Sequence, residues 1–217
     1  MPELRAHNIA VSLDGFAAGP AQCLQDPLGV GGTRLHEWVF ATRTGRQMFG
    51  EDGGESGLDD DFLARGTAGI GATVMGRNMF GPIRGPWPDE SWTGWWGDEP
   101  PYHHDVFVLT HHARRPLPLR GGTTFHFVTA GVQAAVRRAF EAAGGADVRL
   151  GGGAATIRDC MSAGLLDELH LAVVPILLGA GERLYDVAAF DGYECVEVAA
   201  SRRVAHLRWR RSADQPC

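Results

Sequence analysis

A run of three glycines links an apolar segment to a helical one, in the stretch Leu150-Gly151-Gly152-Gly153-Ala154-Ala155. Glycine lets the backbone approach a ligand closely, and the first turn of a helix offers free N–H groups to an anion. The pattern therefore indicates a ligand-binding turn at the end of a strand, with a pyrophosphate as the expected ligand. A plain tight turn is the alternative, and this run alone favours neither.

A second strand-to-helix junction of this kind lies earlier, at Val74-Met75-Gly76-Arg77-Asn78. An arginine at a helix start can pair with a phosphate through its planar guanidinium, whereas a solvated arginine is the simpler interpretation. The glycine run is not a Rossmann motif, which needs Gly-x-Gly-x-x-Gly early in a βαβ unit. Two glycine junctions in one sheet, one of them carrying Arg77, are more specific together than either is alone.

Strand and helix patterns alternate along the chain, which predicts an α/β protein with a mixed, mainly parallel central sheet flanked by helices. Two closing strands, about 193–200 and 204–210, predict an antiparallel hairpin at the sheet edge. The long irregular stretches 17–58 and 81–104 predict functional loops, the first with a short helix near Leu35–Phe40. No repeat or clean linker is visible, so we expect one domain over residues 1–217, with a core of about 5–211.

The expected elements can be given by range. Strands are predicted at 7–11, 70–75, 106–109, 125–128, 148–150 and 169–174, and helices at 59–68 and 132–143. A further helix after the glycine run has Ile157, Met161 and Leu165 on one face.

The charge and composition exclude several classes of protein. The formal net charge is −6, so nucleic acid and anionic membranes are poor partners. No apolar run approaches the roughly 18 residues of a membrane span, and the first residues do not have the pattern of a secretory signal, so a cytoplasmic protein is expected. All 20 basic residues are arginine, which excludes Schiff-base chemistry on a lysine.

The cysteine and histidine patterns argue against a metal site. The four cysteines form no Cys-x-x-Cys pair, and we expect Cys160 and Cys195 to be buried as small apolar residues. The pairs His103-His104 and His111-His112 point to opposite faces if they lie in strands, and no carboxylate stands at metal-ligand spacing. We therefore expect no metal.

Met75-Gly76-Arg77, followed later by Gly151-Gly152-Gly153, resembles the dihydrofolate reductases. The chain is closer still to the reductase (RibD C-terminal) domain of riboflavin biosynthesis and its freestanding relatives. Val11-Ser12-Leu13-Asp14-Gly15 is similar to the first strand and turn of that group. Asp167-Glu168-Leu169 and the segment 174–181 are similar to its late strand and following loop. The resemblance spans about residues 5–211.

The resemblance implies NADPH as cofactor, with Arg77 as the chief contact of the 2′-phosphate and Thr110, with His111, beside the adenosine half. It places the glycine run at the pyrophosphate and nicotinamide, and it implies a cis peptide bond between Gly151 and Gly152. It also implies a homodimer. The expected cofactor-binding residues are Gly15, Gly76, Arg77, Asn78, Thr110, His111, Gly151, Gly152, Gly153 and Ala154.

Three carboxylates are candidates for the catalytic chemistry. Dihydrofolate reductases carry a carboxylate on a helix before the Gly-Arg pair, and the same spacing counted back from Gly76 reaches Asp60, inside Asp59-Asp60-Asp61. Asp60 or Asp61 would supply a proton, although acidic residues at a helix start also suit the helix dipole. Asp14 would lie near the nicotinamide face.

Aromatic residues are concentrated in the loop 81–104. Trp87, Trp92 and Trp95 are the predicted substrate residues, since a soluble loop rarely exposes so many rings without a partner. They would form a wall of a pocket for a flat heterocycle, a dimer interface or a satellite core, and the sequence leaves these three open.

The expected function is hydride transfer from NADPH to a C=N or C=O of a small heterocyclic substrate that is pterin- or pyrimidine-like. Such a reaction needs alignment of the reacting carbons and exclusion of water rather than a protein nucleophile. The alternative is a non-catalytic nucleotide- or ligand-binding module on the same fold. Met79 and Ala154 favour it, because the related reductases often carry Thr and Arg at these positions. A flavin-dependent version is a third possibility.

Overall fold

The structure is a computed structural model that describes residues 1–81, 84–185 and 190–212. Its strands, in chain order, are β1 (Leu4–Ser12), β2 (Phe16–Ala18), β3 (Ile70–Gly76), β4 (Asp105–Leu109), β5 (Leu117–Pro118), β6 (Thr124–Val128), β7 (Asp147–Gly152), β8 (Glu168–Val174), β9 (Glu182–Arg183), β10 (Tyr193–Ala200) and β11 (Ala205–Arg211). The α-helices are α1 (Glu37–Ala41), α2 (Arg43–Gln47), α3 (Leu58–Thr67), α4 (Arg77–Phe80), α5 (Val132–Ala143) and α6 (Ala154–Ser162). Short 3-10 helices cover Gly32–His36 and Arg120–Gly122.

One large sheet organises the described residues, with strands in the order β10-β11-β8-β1-β7-β3-β4-β6-β5. The six strands from β8 to β6 are parallel, β11 and β10 continue the sheet as an antiparallel hairpin, and β5 pairs antiparallel with β6. The predicted fold class is confirmed, including the hairpin at the edge. A separate pair, β2 with β9, was not expected, because two strands this short show no periodicity.

Helices cover both faces of the sheet because alternate residues of its strands point to opposite sides. Val74 and Leu150 are buried on the face covered by α5 and α6, where Ile157 packs against them. Met75, next to Val74, instead joins an aromatic cluster on the other face that includes Phe80, Tyr102 and Phe125. A third buried cluster joins Leu35, Trp38 and Leu63 to the β1 and β8 side of the sheet.

Several local expectations need correction. The stretch 17–58 contains α1, α2 and a 3-10 helix rather than one short helix. Leu165 packs against the core from beyond the end of α6, since Gly164 has a positive φ of 63° and the helix has already ended. Cys160 is buried as predicted, but Cys195 is exposed because β10 is the outermost strand.

Two further expectations concern the extent of the chain and its surroundings. The single domain over residues 1–217 stays a prediction, and Cys217 lies outside the described residues. Every helix of the described part is too short or too polar to cross a bilayer.

Candidate active site

The two glycine junctions meet at the same edge of the sheet. β3 and β7 are parallel neighbours, with Val74 opposite Leu150 and Met75 opposite Gly152, so both strands end side by side. A Cβ on Gly76 would lie 2.5 Å from Oγ1 of Thr156 in α6 and 3.4 Å from the backbone nitrogen of Gly153. Only glycine allows this approach, and the first turn of one helix therefore touches the other junction.

A cleft of about 440 Å³ opens over these junctions. The lining includes the predicted residues Gly76, Arg77, Asn78, Gly151, Gly152, Gly153, Ala154 and Trp95. Its other walls come from β1, β2, the residues that follow β2, and the start of α6. The structure thus brings together most of the residues expected to hold a cofactor.

The start of α6 leaves hydrogen-bond donors free at the cleft. Gly153 precedes the helix and supplies no side-chain cap, and Ala154, Ala155 and Thr156 all line the cleft. The first N–H groups of a helix have no partner within the helix and carry its positive dipole end. This edge of the cleft is therefore suited to an anionic group.

The cis peptide bond joins Gly152 to Gly153, one position later than predicted. β7 keeps its pairing through Gly152, so the irregular bond falls at the junction between strand and helix. Glycine is needed at Gly152 itself, where φ is +127°.

Arg77 presents an incompletely bonded guanidinium beside the glycine turns. Its Nη1 donates to Oγ1 of Thr110 at 3.1 Å, while Nε and Nη2 are buried and have no hydrogen-bond partner. The guanidinium carbon lies 3.1 Å from the centroid of a Trp87 ring, with Arg114 5.0 Å from the same tryptophan. Within the described part of the chain, Thr110 is the only hydrogen-bond partner of the Arg77 guanidinium.

The electrostatics around Arg77 favour an incoming anion. Burial, followed by the positive charge of Arg114, lowers the pKa of Arg77 to about 10. The side chain stays protonated at neutral pH, and an anion placed there would relieve both effects. Thr110 holds Arg77 in position, whereas His111 is exposed and does not line the cleft.

The carboxylate of Asp60 forms hydrogen bonds with a neighbouring helix and does not line the cleft. Its carboxylate accepts from the backbone N–H of Thr44 at 2.7 Å and from Arg43 at 3.1 Å, at the start of α2. Burial would raise the pKa of Asp60, but these hydrogen bonds and the charge of Arg43 lower it overall. An anion at neutral pH is a poor proton donor, and neither Asp60 nor the exposed Asp61 lines the cleft.

The carboxylate of Asp14 also forms hydrogen bonds within the protein, between the turn after β1 and the segment after β8. Ser12 donates to its carboxylate at 2.6 Å, and the N–H groups of Leu178 and Gly179 donate at 3.1 and 2.6 Å. The hydrogen bond from Ser12 is the largest cause that lowers the pKa of Asp14 to about 2. Gly15 follows with a φ of +85°, and a Cβ there would meet Tyr185 at 2.8 Å. Neither residue lines the cleft.

The tryptophans separate into two groups. Trp87 stacks with Arg77, and Trp92 donates from its indole to the carbonyl of Phe80 at 3.0 Å, so both belong to the aromatic cluster beside the cleft. Trp95 and Trp96 line the cleft itself, and Trp96 also packs against the aromatic cluster. Of the three predicted substrate residues, the structure brings only Trp95 to the candidate site.

Sequence reasoning missed five polar residues of the cleft, which are Asn8, Gln22, His36, Thr156 and Glu182. Asn8 could have been noticed as a polar residue inside an apolar strand. His36 lies in the irregular stretch 17–58, which has no periodic pattern to orient it. Among the described residues, no group of three or more His, Cys, Asp or Glu side chains could hold a metal ion.

The mainly parallel sheet, its antiparallel edge hairpin and the two touching glycine junctions define a dihydrofolate-reductase-like α/β protein. Comparison with known proteins gives the family: the chain belongs to the RibD C-terminal domain family, whose model matches residues 6–207. No curated protein matches it. Membership of this family supports an oxidoreductase.

Solved structures agree on the fold. A putative riboflavin biosynthesis protein from Shewanella sp. PV-4 is 19% identical, with a TM-score of 0.59 over 98% of this chain and 99% of its own. A pyrimidine reductase-like protein from Corynebacterium diphtheriae is 15% identical, with a TM-score of 0.55 over 98% and 93%. Dihydrofolate reductase from Enterococcus faecalis, complexed with NADP(H), is 15% identical, with a TM-score of 0.50 over 96% of each chain.

Proposed function

We propose that the cleft binds NADPH and that the protein reduces a C=N or C=O bond of a small pterin- or pyrimidine-like heterocycle. The observation that carries this proposal is the contact between Gly76 and the start of α6, with the unpaired guanidinium of Arg77 beside it. An anionic dinucleotide can satisfy both the free helix N–H groups and the arginine.

The residues present fit the phosphates of NADPH. Gly151, Gly152 and Gly153 would lie along the pyrophosphate, since they add no side chain of their own between a ligand and the N–H groups of α6. Arg77 would bind the 2′-phosphate through its guanidinium, and its Nε and Nη2, which are buried without a partner, would become exposed for this contact. Thr110 fixes the guanidinium by accepting its third hydrogen bond.

Bound NADPH supplies a hydride, and the protein's part is to align the acceptor and exclude water. Ile9, Ala10, Ala17 and Ala18 give the cleft an apolar wall without nucleophiles. Trp95 and Trp96 offer flat surfaces for a heterocycle. The catalytic roles of Asp60, Asp61 and Asp14 stay predictions, and the hydrogen bonds of Asp60 and Asp14 disfavour theirs. A cytoplasmic homodimer remains our expectation.

One observation favours the non-catalytic alternative. A Cβ on Gly151 would meet Cε and Sδ of Met79 at 3.1 Å, so this side chain lies directly over the turn that would border the cofactor. A site of this kind, narrowed by a methionine, could bind a smaller ligand without hydride transfer.

Titration with NADPH and with NADH, followed by nicotinamide fluorescence, tests the proposal. We expect saturable micromolar binding of NADPH and weaker binding of NADH. Arg77→Met should weaken NADPH binding by about tenfold or more, the cost of losing charge-assisted hydrogen bonds, and leave NADH unchanged. Arg137→Met, at an exposed position of α5, is the matched control.

Screening heterocycles for NADPH oxidation then separates the enzyme from the binding module. Saturable NADPH binding without oxidation of any acceptor would favour the module. Absence of NADPH binding, or equal loss of affinity in Arg77→Met and Arg137→Met, would refute the proposed cofactor site.

A further inference from the structure

The side chain of Met79 lies across two of the three glycines that end β7. A Cβ on Gly151 would meet Cε and Sδ of Met79 at 3.1 Å, and a Cβ on Gly152 would meet Sδ at 3.6 Å. Among the described residues, no heavy atom would come within 4 Å of a Cβ on Gly153. The glycine run is therefore covered on its strand side and open where α6 begins.

The missing side chain of Gly151 provides the space that Met79 fills. Gly152 has a φ of +127°, but Gly151 has no positive φ, so the backbone at Gly151 would accept an alanine. The methionine is what such an alanine would meet first, and Cγ2 of Thr73 follows at 3.7 Å. Gly151 and Met79 are therefore matched to each other by packing.

The backbone that carries Met79 is held in place by its neighbour in α4. Phe80 is fully buried and packs edge-on against Phe125 and Phe127, with ring centroids 5.0 and 5.2 Å from its own. The carbonyl of Phe80 accepts from the indole of Trp92 at 3.0 Å. A ligand that enters the glycine turn cannot push α4 aside without disturbing these contacts, so the side chain of Met79 is the part able to move.

The side chain of Met79 is suited to such a movement. It is half-buried, lines the cleft and packs on its other side against the aromatic cluster. Methionine is unbranched and has three rotatable bonds, so it adapts to neighbouring groups more readily than a branched side chain does. Turning away from the glycines breaks the contacts of Cε and Sδ, and this loss opposes any ligand that takes their place.

We propose that Met79 is a specificity-determining residue that occupies the glycine turn and is displaced when a dinucleotide binds. The displacement lowers the affinity for ligands that run along Gly151 and Gly152, whereas a ligand confined to Arg77 and Thr110 leaves Met79 in place. Met79 thus distinguishes a dinucleotide from its adenosine half, while Arg77 distinguishes NADPH from NADH. The inference rests on the proposed function, because it concerns the same cofactor cleft.

Calorimetric titration of the wild-type protein and of Met79→Ala with NADPH, NADH and 2′,5′-ADP tests the inference. The last of these carries the adenosine and its 2′-phosphate but no nicotinamide half. Met79→Ala should bind NADPH and NADH about tenfold more tightly than the wild type, since the apolar contacts of two side-chain atoms no longer have to be broken. The affinity of Met79→Ala for 2′,5′-ADP should equal that of the wild type.

Two further variants separate the bulk of the side chain from a general effect of losing a methionine. Met79→Leu keeps a side chain of similar volume and should therefore show a smaller gain in affinity than Met79→Ala. Met48→Ala, at a half-buried position outside the cleft, is the matched control and should bind all three ligands as the wild type does. Urea unfolding shows that each variant is folded.

NMR of the methionine methyl groups follows the displacement directly. The chain has five methionines, so a protein labelled with ¹³C at these methyl groups gives a simple spectrum. The signal of Met79 is the one that disappears in Met79→Ala. NADPH should shift this signal in the wild-type protein, and 2′,5′-ADP should leave it in place.

Equal or weaker binding of NADPH by Met79→Ala would overturn the inference, and so would an equal gain for 2′,5′-ADP or an unshifted Met79 signal in the NADPH complex. Binding of NADPH by Met79→Ala alone would support the inference, while the wild-type protein would lack the proposed function. If neither protein binds NADPH, the proposed function fails and the inference fails with it. The inference fails by itself only when the wild-type protein does bind NADPH.

Discussion

The contact between Gly76 and Thr156 permits a sharp test of the candidate site. Gly76 has an extended conformation, with φ −76° and ψ 158°, so an alanine is acceptable to its backbone. The only objection to Gly76→Ala is steric, because its Cβ would lie 2.5 Å from Oγ1 of Thr156. The next contact, with the backbone nitrogen of Gly153 at 3.4 Å, is close to ordinary van der Waals distance.

The size of the effect follows from this distance. Overpacking a buried contact costs about 1–3 kcal/mol, so we expect Gly76→Ala to destabilise by about 2 kcal/mol. Thr156→Ala, which removes the opposing oxygen, should cost about 1 kcal/mol by itself. Independent effects would sum to about 3 kcal/mol, but the double variant should cost only about 1 kcal/mol, a coupling of about 2 kcal/mol.

Urea unfolding, followed by tryptophan fluorescence, gives the free energy of unfolding of each variant. NADPH titration shows whether displacement of α6 weakens cofactor binding in Gly76→Ala and whether Thr156→Ala restores it. Thr156→Val is the matched control, since it keeps an atom in place of Oγ1 and should give no rescue. Additive costs in the double variant, or Gly76→Ala with unchanged stability and NADPH binding, would refute the contact between the two junctions.

Two further predictions concern buried ionisable groups. Asp60→Asn should destabilise by about 1–3 kcal/mol at pH 7, since it disrupts the carboxylate's hydrogen bonds with Thr44 and Arg43. Because the pKa of Asp60 is lowered from 3.8, its contribution is present above that pH and lost as pH falls through the folded-state value. Loss of activity without loss of stability would instead support a catalytic role, and exposed Asp61→Asn is the control. The lowered pKa of His170 means that wild-type stability falls as pH drops below 6.5 towards about 2, and unfolding curves of His170→Gln should show a shallower slope. An unchanged slope would show that His170 does not cause this dependence of stability on pH.

The sequence by itself determined the class of the fold and the position of its ligand edge. The alternation of strands and helices requires a sheet with helical crossovers, and the carboxyl ends of parallel strands meet at one edge. Residues close together in the sequence, such as Gly76 with Arg77 and Gly151 with Gly153, therefore had to lie near that edge. Local pattern was sufficient because each junction is defined within a few residues.

The tertiary structure alone decided the roles of single side chains. Asp60 has the spacing of a reductase carboxylate, yet in the structure its carboxylate accepts a hydrogen bond from the N–H of Thr44 in α2. Trp87 and Trp95 lie in one loop, but the first packs against Arg77 and the second lines the cleft. Asn8 and His36 both line the cleft, although the first lies in β1 and the second in a segment that lacks periodicity. Such contacts join residues far apart in sequence, and periodicity carries no information about them.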